Sequence, residues 1–287
     1  MSEPPADASR PPGLLGDTRG RDYAVKLDLF AAYAAPELRA TIAGLGLRPG
    51  DSVLDAGCGS GGTLGWLAEG VAPGGFAAGI DLAAAHAAAA QRRTRHQVLI
   101  VQGDLADPPF SRGRFDVVFC LNTLHHLREP ARGVEALRSL LRPGGRFVVA
   151  QSAFLPEQLF AWDARLERIT HAAVREYYRS RYGGAEHAFN AVRALLGLLR
   201  GGGLERVSIR TCLIERVAPL DASTERYLSE AIFRDTWGER LRSFMPAEDF
   251  EKLTRLTDPS SPDFALRRSD FHYLQTLTIA SGIKDRR

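Results

Sequence analysis

From residue 52 onward, short apolar runs alternate with segments whose apolar positions recur every third or fourth residue. Runs without polar interruption predict strands buried on both faces, and the longer periodic segments predict amphipathic helices. On that basis residues 52–56, 76–80, 97–102, 115–121 and 146–151 are strands, and 63–69, 82–93 and 131–141 are helices. Residues 22–44 read as one earlier helix with Tyr23, Leu27, Phe30, Ala34 and Leu38 on a single stripe, followed by the turn Arg48-Pro49-Gly50. Strand and helix alternating at this pitch imply a parallel sheet with right-handed crossovers.

The pattern then changes. Residues 155–178 place Leu155, Leu159, Trp162, Leu166, Ile169 and Tyr177 on one helical face, and a helix over 185–199 stops at Gly201-Gly202-Gly203. Residues 207–213 alternate as a strand, 223–256 are helical with a break at Trp237-Gly238 and a restart at Pro246, and 271–280 form a last strand. The fold expected is α/β: a doubly wound, mostly parallel, seven-stranded sheet of Rossmann-like type with helical lid insertions. Residues 1–20, rich in Pro, Ser, Asp and Gly, read as a disordered tail. The cofactor-binding core spans 21–154, a helical lid 155–184, and the rest of the sheet 185–287 with a second insertion at about 221–257.

Composition narrows the class. The 287 residues are 45% hydrophobic and 25% charged, ordinary for a globular protein. Lys and Arg number 37 against 34 Asp and Glu, a net charge of +3 that is too small and dispersed to argue for nucleic acid. No stretch is apolar for long enough to span a bilayer, and the first residues lack a signal core. Three cysteines without metal-ligand spacing point to a reducing cytoplasm, and no metal is expected.

The chemistry concentrates at 53–62, where a strand runs into Asp55-Ala56-Gly57-Cys58-Gly59-Ser60-Gly61-Gly62. A turn almost bare of side chains lets backbone approach a ligand closely. Gly57, Gly59 and Gly62 also satisfy the dinucleotide spacing, so an oxidoreductase competes. Asp55 argues against it, because a carboxylate there would repel a pyrophosphate and suits a ligand carrying an ammonium and a sulfonium. Asp81 and Asp104 follow the next two strands. Asp81 can accept ribose hydroxyls or cap a helix, and Asp104 can accept from an adenine amine or simply form an Asx turn.

With these pieces in order, the chain resembles the class I S-adenosylmethionine-dependent methyltransferases, through residues 53–61, Gly79-Ile80-Asp81, Gly103-Asp104-Leu105, 115–127 and Leu141-Arg142-Pro143-Gly144-Gly145. Asn122-Thr123-Leu124-His125-His126-Leu127 is similar to the small-molecule branch that includes the ubiquinone and menaquinone biosynthesis methyltransferases. The resemblance implies that Asp55, Gly57, Gly59 and Gly61 surround the methionine part of S-adenosylmethionine. It likewise implies Asp81 and Leu82 at the ribose, Asp104 and Leu105 at the adenine, Leu121 and Asn122 beside the methyl, and Tyr23 as cover.

Methyl transfer from a sulfonium needs alignment above all, and a base only if the nucleophile arrives protonated. His125 and His126 are the candidate bases, with local packing as the competing role. Trp162, Tyr177, Tyr178 and Arg181 are the candidate acceptor-binding side chains of the lid, against a plain core stripe with a solvated basic face. The function expected is methylation of a small organic acceptor at O, N or C, in specialised metabolism, with a homodimer left open. Nucleic-acid methylation and S-adenosylmethionine binding without transfer stand as the alternatives.

Overall fold

Strand β1 (Ser52–Ala56) is buried at every position. Its side chains divide between two cores, Val53 on one face of the sheet and Leu54 and Ala56 on the other. The same alternation runs through β4 (Phe115–Leu121), with Val117 and Phe119 opposite to Val118 and Cys120. It continues in β5 (Leu141–Ser152), where Val148 and Ala150 face away from Phe147 and Val149. Two covered faces are the physical reason these strands read as unbroken apolar runs. The computed structural model describes residues 24–95, 97–127, 129–152, 158–159, 163–182 and 191–286.

Strands β2 (Phe76–Asp81) and β3 (Leu99–Gln102) extend the sheet on one side of β1, and β4 and β5 on the other, all parallel. β8 (His272–Ile283) lies antiparallel between β5 and the edge strand β7 (Glu205–Val217). The expected doubly wound, mostly parallel sheet is therefore present, with one addition to the seven strands. The two-residue strand β6 (Gln158–Leu159) pairs with Tyr273 and Leu274 of β8 and takes up the line that β5 leaves at Leu277.

Helices α1 (Ala24–Tyr33), α2 (Ala35–Ala43) and α3 (Leu64–Val71) contribute Leu29, Leu38 and Leu67 to the first core. On the other face, α5 (Pro130–Leu140) and α7 (Ala191–Gly201) contribute Leu137 and Leu195. Between them in sequence come α4 (Ala84–Arg93) and α6 (Ala164–Tyr182). The insertion between β7 and β8 holds α8 (Ala222–Arg226), which continues as a π-helix (Tyr227–Trp237), then a 3-10 segment (Glu239–Phe244) and α9 (Ala247–Thr257).

Two expectations are corrected. The single helix over 22–44 is two, divided at Ala34 (φ −92°, ψ 9°), with Pro36 in the first turn of α2. A proline that lacks an N–H is tolerated at a helix start and not in its interior. The helix expected from 155 begins at Ala164, where the Asp163 carboxylate accepts from the Leu166 N–H at 2.7 Å. Leu159 belongs instead to β6, and Leu155 lies outside the described residues. The break at Gly238 is as expected: its N–H closes the π-helix on the Phe233 carbonyl at 2.8 Å.

Phe119, fully buried in the central strand β4, tests the two-sided core. Replacing it by Ala should cost about 3–5 kcal/mol in denaturant unfolding. A loss of under about 1 kcal/mol would mean the β4 side chains are not packed as described.

Candidate functional site

β1 lies between β2 and β4, and the crossovers on its two sides pack on opposite faces, α3 against the first core and α5 against the second. Such a reversal opens a crevice beyond the carboxyl ends of the strands. A cavity sits there, lined among others by Asp55, Gly57, Gly59 and Gly62 from the turn after β1. The ends of the next strands add Asp81, Leu82, Asp104 and Leu105, and the end of β4 adds Leu121, Asn122 and His126.

Asp55 is 1% exposed. Its Oδ2 accepts from the Thr63 hydroxyl at 2.6 Å, while Oδ1 is buried without a hydrogen-bond partner. Burial raises the carboxyl from its ordinary value of 3.8 to about 7; the Thr63 bond opposes the rise and the Asp81 charge adds to it. The turn that follows needs left-handed backbone at Gly57 (φ +78°), and a Cβ there would lie 2.3 Å from the Thr123 side chain. Gly61 also has positive φ, but a Cβ on it would meet the Cα of Ala90 at 3.0 Å. Gly61 therefore seats the turn on α4 and is not among the residues that line the cavity.

Asp81 ties the turn to β2. Its Oδ2 accepts from the Gly59 N–H at 2.9 Å, and its Oδ1 accepts from the Ala83 N–H at 2.9 Å and lies 3.2 Å from His86 Nδ1. Asp104 forms an Asx turn, accepting from the Ala106 N–H at 2.8 Å, and still faces the cavity. Asn122 adopts φ +48°, a region that asparagine tolerates better than most residues. Its Oδ1 accepts from the Ser152 N–H (2.7 Å), the Ser152 hydroxyl (3.0 Å) and Gln151 Nε2 (3.1 Å).

The two histidines part company. His126 lines the cavity, whereas His125 is outside the lining, with Nδ1 3.1 Å from Gln151 Oε1. Burial, then the neighbouring His126, hold His125 well below the usual imidazole range, and the Gln151 hydrogen bond only partly offsets them. His125 is thus held by a local hydrogen bond and, unlike His126, is not among the residues that line the cavity.

Several lining residues were not anticipated. Leu27, Phe30 and Ala31 of α1 roof the cavity, and Cys58, Ser60, Thr63, His86, Thr123 and Leu127 complete it. Asp28 clasps the roof down: its carboxylate accepts from the Ser60 hydroxyl at 2.5 Å and pairs with Arg93 at 2.6 Å. Lys26 Nζ donates to the Thr236 hydroxyl at 2.9 Å, joining α1 to the π-helix. The roof's only signal in the sequence was the helical stripe of Leu27 and Phe30, which is the same signal that core packing gives.

The expected acceptor residues do not gather at this cavity. Tyr178 is buried in the core, and Tyr177 packs edge-on against Tyr178 and Phe244 with the Arg240 guanidinium 5.3 Å over its ring. Arg181 is exposed, and none of the three is among the lining residues. Trp162 and Tyr23 lie outside the described residues. Among the described residues no group of three His, Cys, Asp or Glu could hold a metal ion, and no helix is long and apolar enough to cross a membrane.

Residues 54–149 match the family described as "Methyltransferase domain". The nocamycin O-methyltransferase of Saccharothrix syringae is 32% identical over 210 residues, 69% of this chain and 71% of that protein. The demethylmenaquinone methyltransferase of Beutenbergia cavernae is 35% identical over 41% of this chain and 48% of that protein. In two other curated relatives, 39% and 36% identical, the match spans only 32% of their length. The solved structure of the YcgJ protein from Bacillus subtilis shares the fold, with a TM-score of 0.53 at 17% identity, covering 88% of this chain and 99% of that one.

A carboxyl that holds its proton more tightly folded than unfolded contributes stability that is complete below pH 4. That contribution is lost as the pH rises through about 7. The melting temperature of unliganded Asp55→Asn should therefore fall less than the parent's over that interval. Parallel pH profiles for the two proteins would show that Asp55 is ionised throughout.

Proposed function

The chain belongs to the class I S-adenosylmethionine-dependent methyltransferase family, and we propose that it transfers the methyl group of S-adenosylmethionine to a small organic acceptor at oxygen, nitrogen or carbon. The observation that carries this reading is the convergence of Asp55, Asp81 and Asp104, from three successive strand ends, on one cavity beside the glycine turn. The residues fit that cofactor. A buried carboxylate oxygen without a partner calls for a cationic group, which an α-ammonium supplies and a pyrophosphate does not.

When bound, S-adenosylmethionine supplies a sulfonium methyl, and its transfer leaves neutral S-adenosylhomocysteine. In this reading Asp55, Gly57 and Gly59 hold the amino-acid part, with Gly61 fixing the turn from behind. Asp81 and Leu82 hold the ribose, and Asp104 and Leu105 the adenine. Leu121 and Asn122 close the site beside the methyl, Asn122 being locked in place by Gln151 and Ser152. The roof formed by α1 excludes water, which such a displacement requires. His126 takes the proton of a protonated nucleophile onto its imidazole, while His125 supports that loop through Gln151.

The acceptor enters under a cover built from α6 and the insertion between β7 and β8. Arg165 of α6 pairs with the buried Asp249 of α9 at 2.5 Å, so the two insertions act as one wall. Tyr177 and Tyr178 shape that wall by packing, and Arg181 lies at its outer face. A closed helical cover suits a compact molecule better than a nucleic acid. Unbridged Cys58, Cys120 and Cys212 agree with a cytoplasmic site of action, and the assembly we propose is a homodimer.

Two variants test the assignment. Asp81→Ala should weaken S-adenosylhomocysteine binding by about ten- to a hundredfold in calorimetry, since a charged acceptor is lost. Undiminished affinity would remove Asp81 from the site. His126→Ala should reduce turnover far more than S-adenosylhomocysteine affinity, with a deficit that shrinks as the pH approaches the acceptor's own pKa. If its pH–rate profile coincides with the parent's, alignment alone carries the reaction.

A further inference from the structure

Of the five large apolar side chains exposed among the described residues, three lie on β7: Ile209 (44%), Leu213 (56%) and Val217 (56%). Their spacing of four puts them on one face of the strand. Val207, earlier on that face, packs against the core that contains Leu195 and Leu199 of α7, and the stripe beyond it stays uncovered. Among the described residues β7 pairs only with β8, so its other edge presents a row of backbone donors and acceptors. The strand is 13 residues long and holds neither proline nor lysine, the residues that commonly blunt such an edge.

The stripe is symmetric about Leu213. We propose that β7 pairs antiparallel with β7 of a second copy of this chain, about a two-fold axis through Leu213, joining two sheets into one. This rests on the self-association in the reading above and supplies its surface; it does not depend on the chemistry. An antiparallel pair has its dyad perpendicular to the sheet, so opposed residues share a face. In this register Ile209 opposes Val217 on each side of the axis, Leu213 opposes itself, and Thr211 opposes Glu215. Every apolar side chain of the stripe meets an apolar one, and Thr211 lies opposite Glu215, two groups already bonded within each copy to Thr278 and His272. On the other face Arg210 opposes Arg216, whose charge Glu37 already balances at 2.8 Å. Other registers leave part of the stripe opposite polar residues or unpaired.

Sedimentation over a concentration series should show a dimer, and Leu213→Lys, which sets two like charges on the axis, should raise its dissociation constant about tenfold or more. Leu99→Lys, an exposed apolar position on the opposite edge strand β3, should leave it unchanged. In a Cys212→Ser background, Leu213→Cys should cross-link to itself with diamide, and Val25→Cys should not. A dimer that persists in Leu213→Lys and fails to cross-link would overturn the surface while leaving self-association standing. A monomer at every concentration would overturn both. Protection of the β7 edge amides from exchange in that monomer would assign the edge to another segment of the chain. None of these results bears on S-adenosylhomocysteine binding, which tests the chemistry separately.

Discussion

A carboxylate kept out of water at the end of β1 sets the terms for everything around it. Asp55 has one oxygen satisfied by Thr63 and the other by no partner among the described residues, and an unmet buried acceptor is costly. Without a cation the group is driven toward its protonated form, and a cationic ligand relieves that cost. The glycine turn, the Asp81 tether to Gly59 and the Leu27 roof enclose the cavity that Asp55 lines. The two-sided core behind β1 keeps the carboxylate from retreating toward solvent.

The cofactor half was legible in the sequence because its determinants are local. Asp55, Asp81 and Asp104 stand one after another at strand ends, and a strand buried on both faces announces itself as an apolar run. The roof was not legible, since Leu27 and Phe30 obey the same helical spacing whether they face a core or a cavity. His125 and His126 were indistinguishable as residue types. What separates them is Gln151, 26 residues from His125 and two elements away.

The insertions were harder for a related reason. Leu159 fits the helical stripe of 155–178 by period, yet the free edge of β8 beyond the end of β5 claims it as a strand. Sheet pairing with a partner more than a hundred residues away outweighed a local periodicity. Tyr177 and Tyr178 cluster as an acceptor site might, but Phe244, Arg240 and the core absorb them. Aromatic clustering by itself does not distinguish a binding wall from a packing contact.

The bond from Lys26 to Thr236 joins residues 210 positions apart. The roof of the cavity thus depends on the first described helix resting on a segment made very late in the chain. During synthesis the glycine turn and all three acids are complete long before that segment exists, and closing so long a loop carries an entropic cost that only the finished insertion offsets. The bond that ties the roof cannot form until Thr236 has been made, long after β1 to β4 are available to pair.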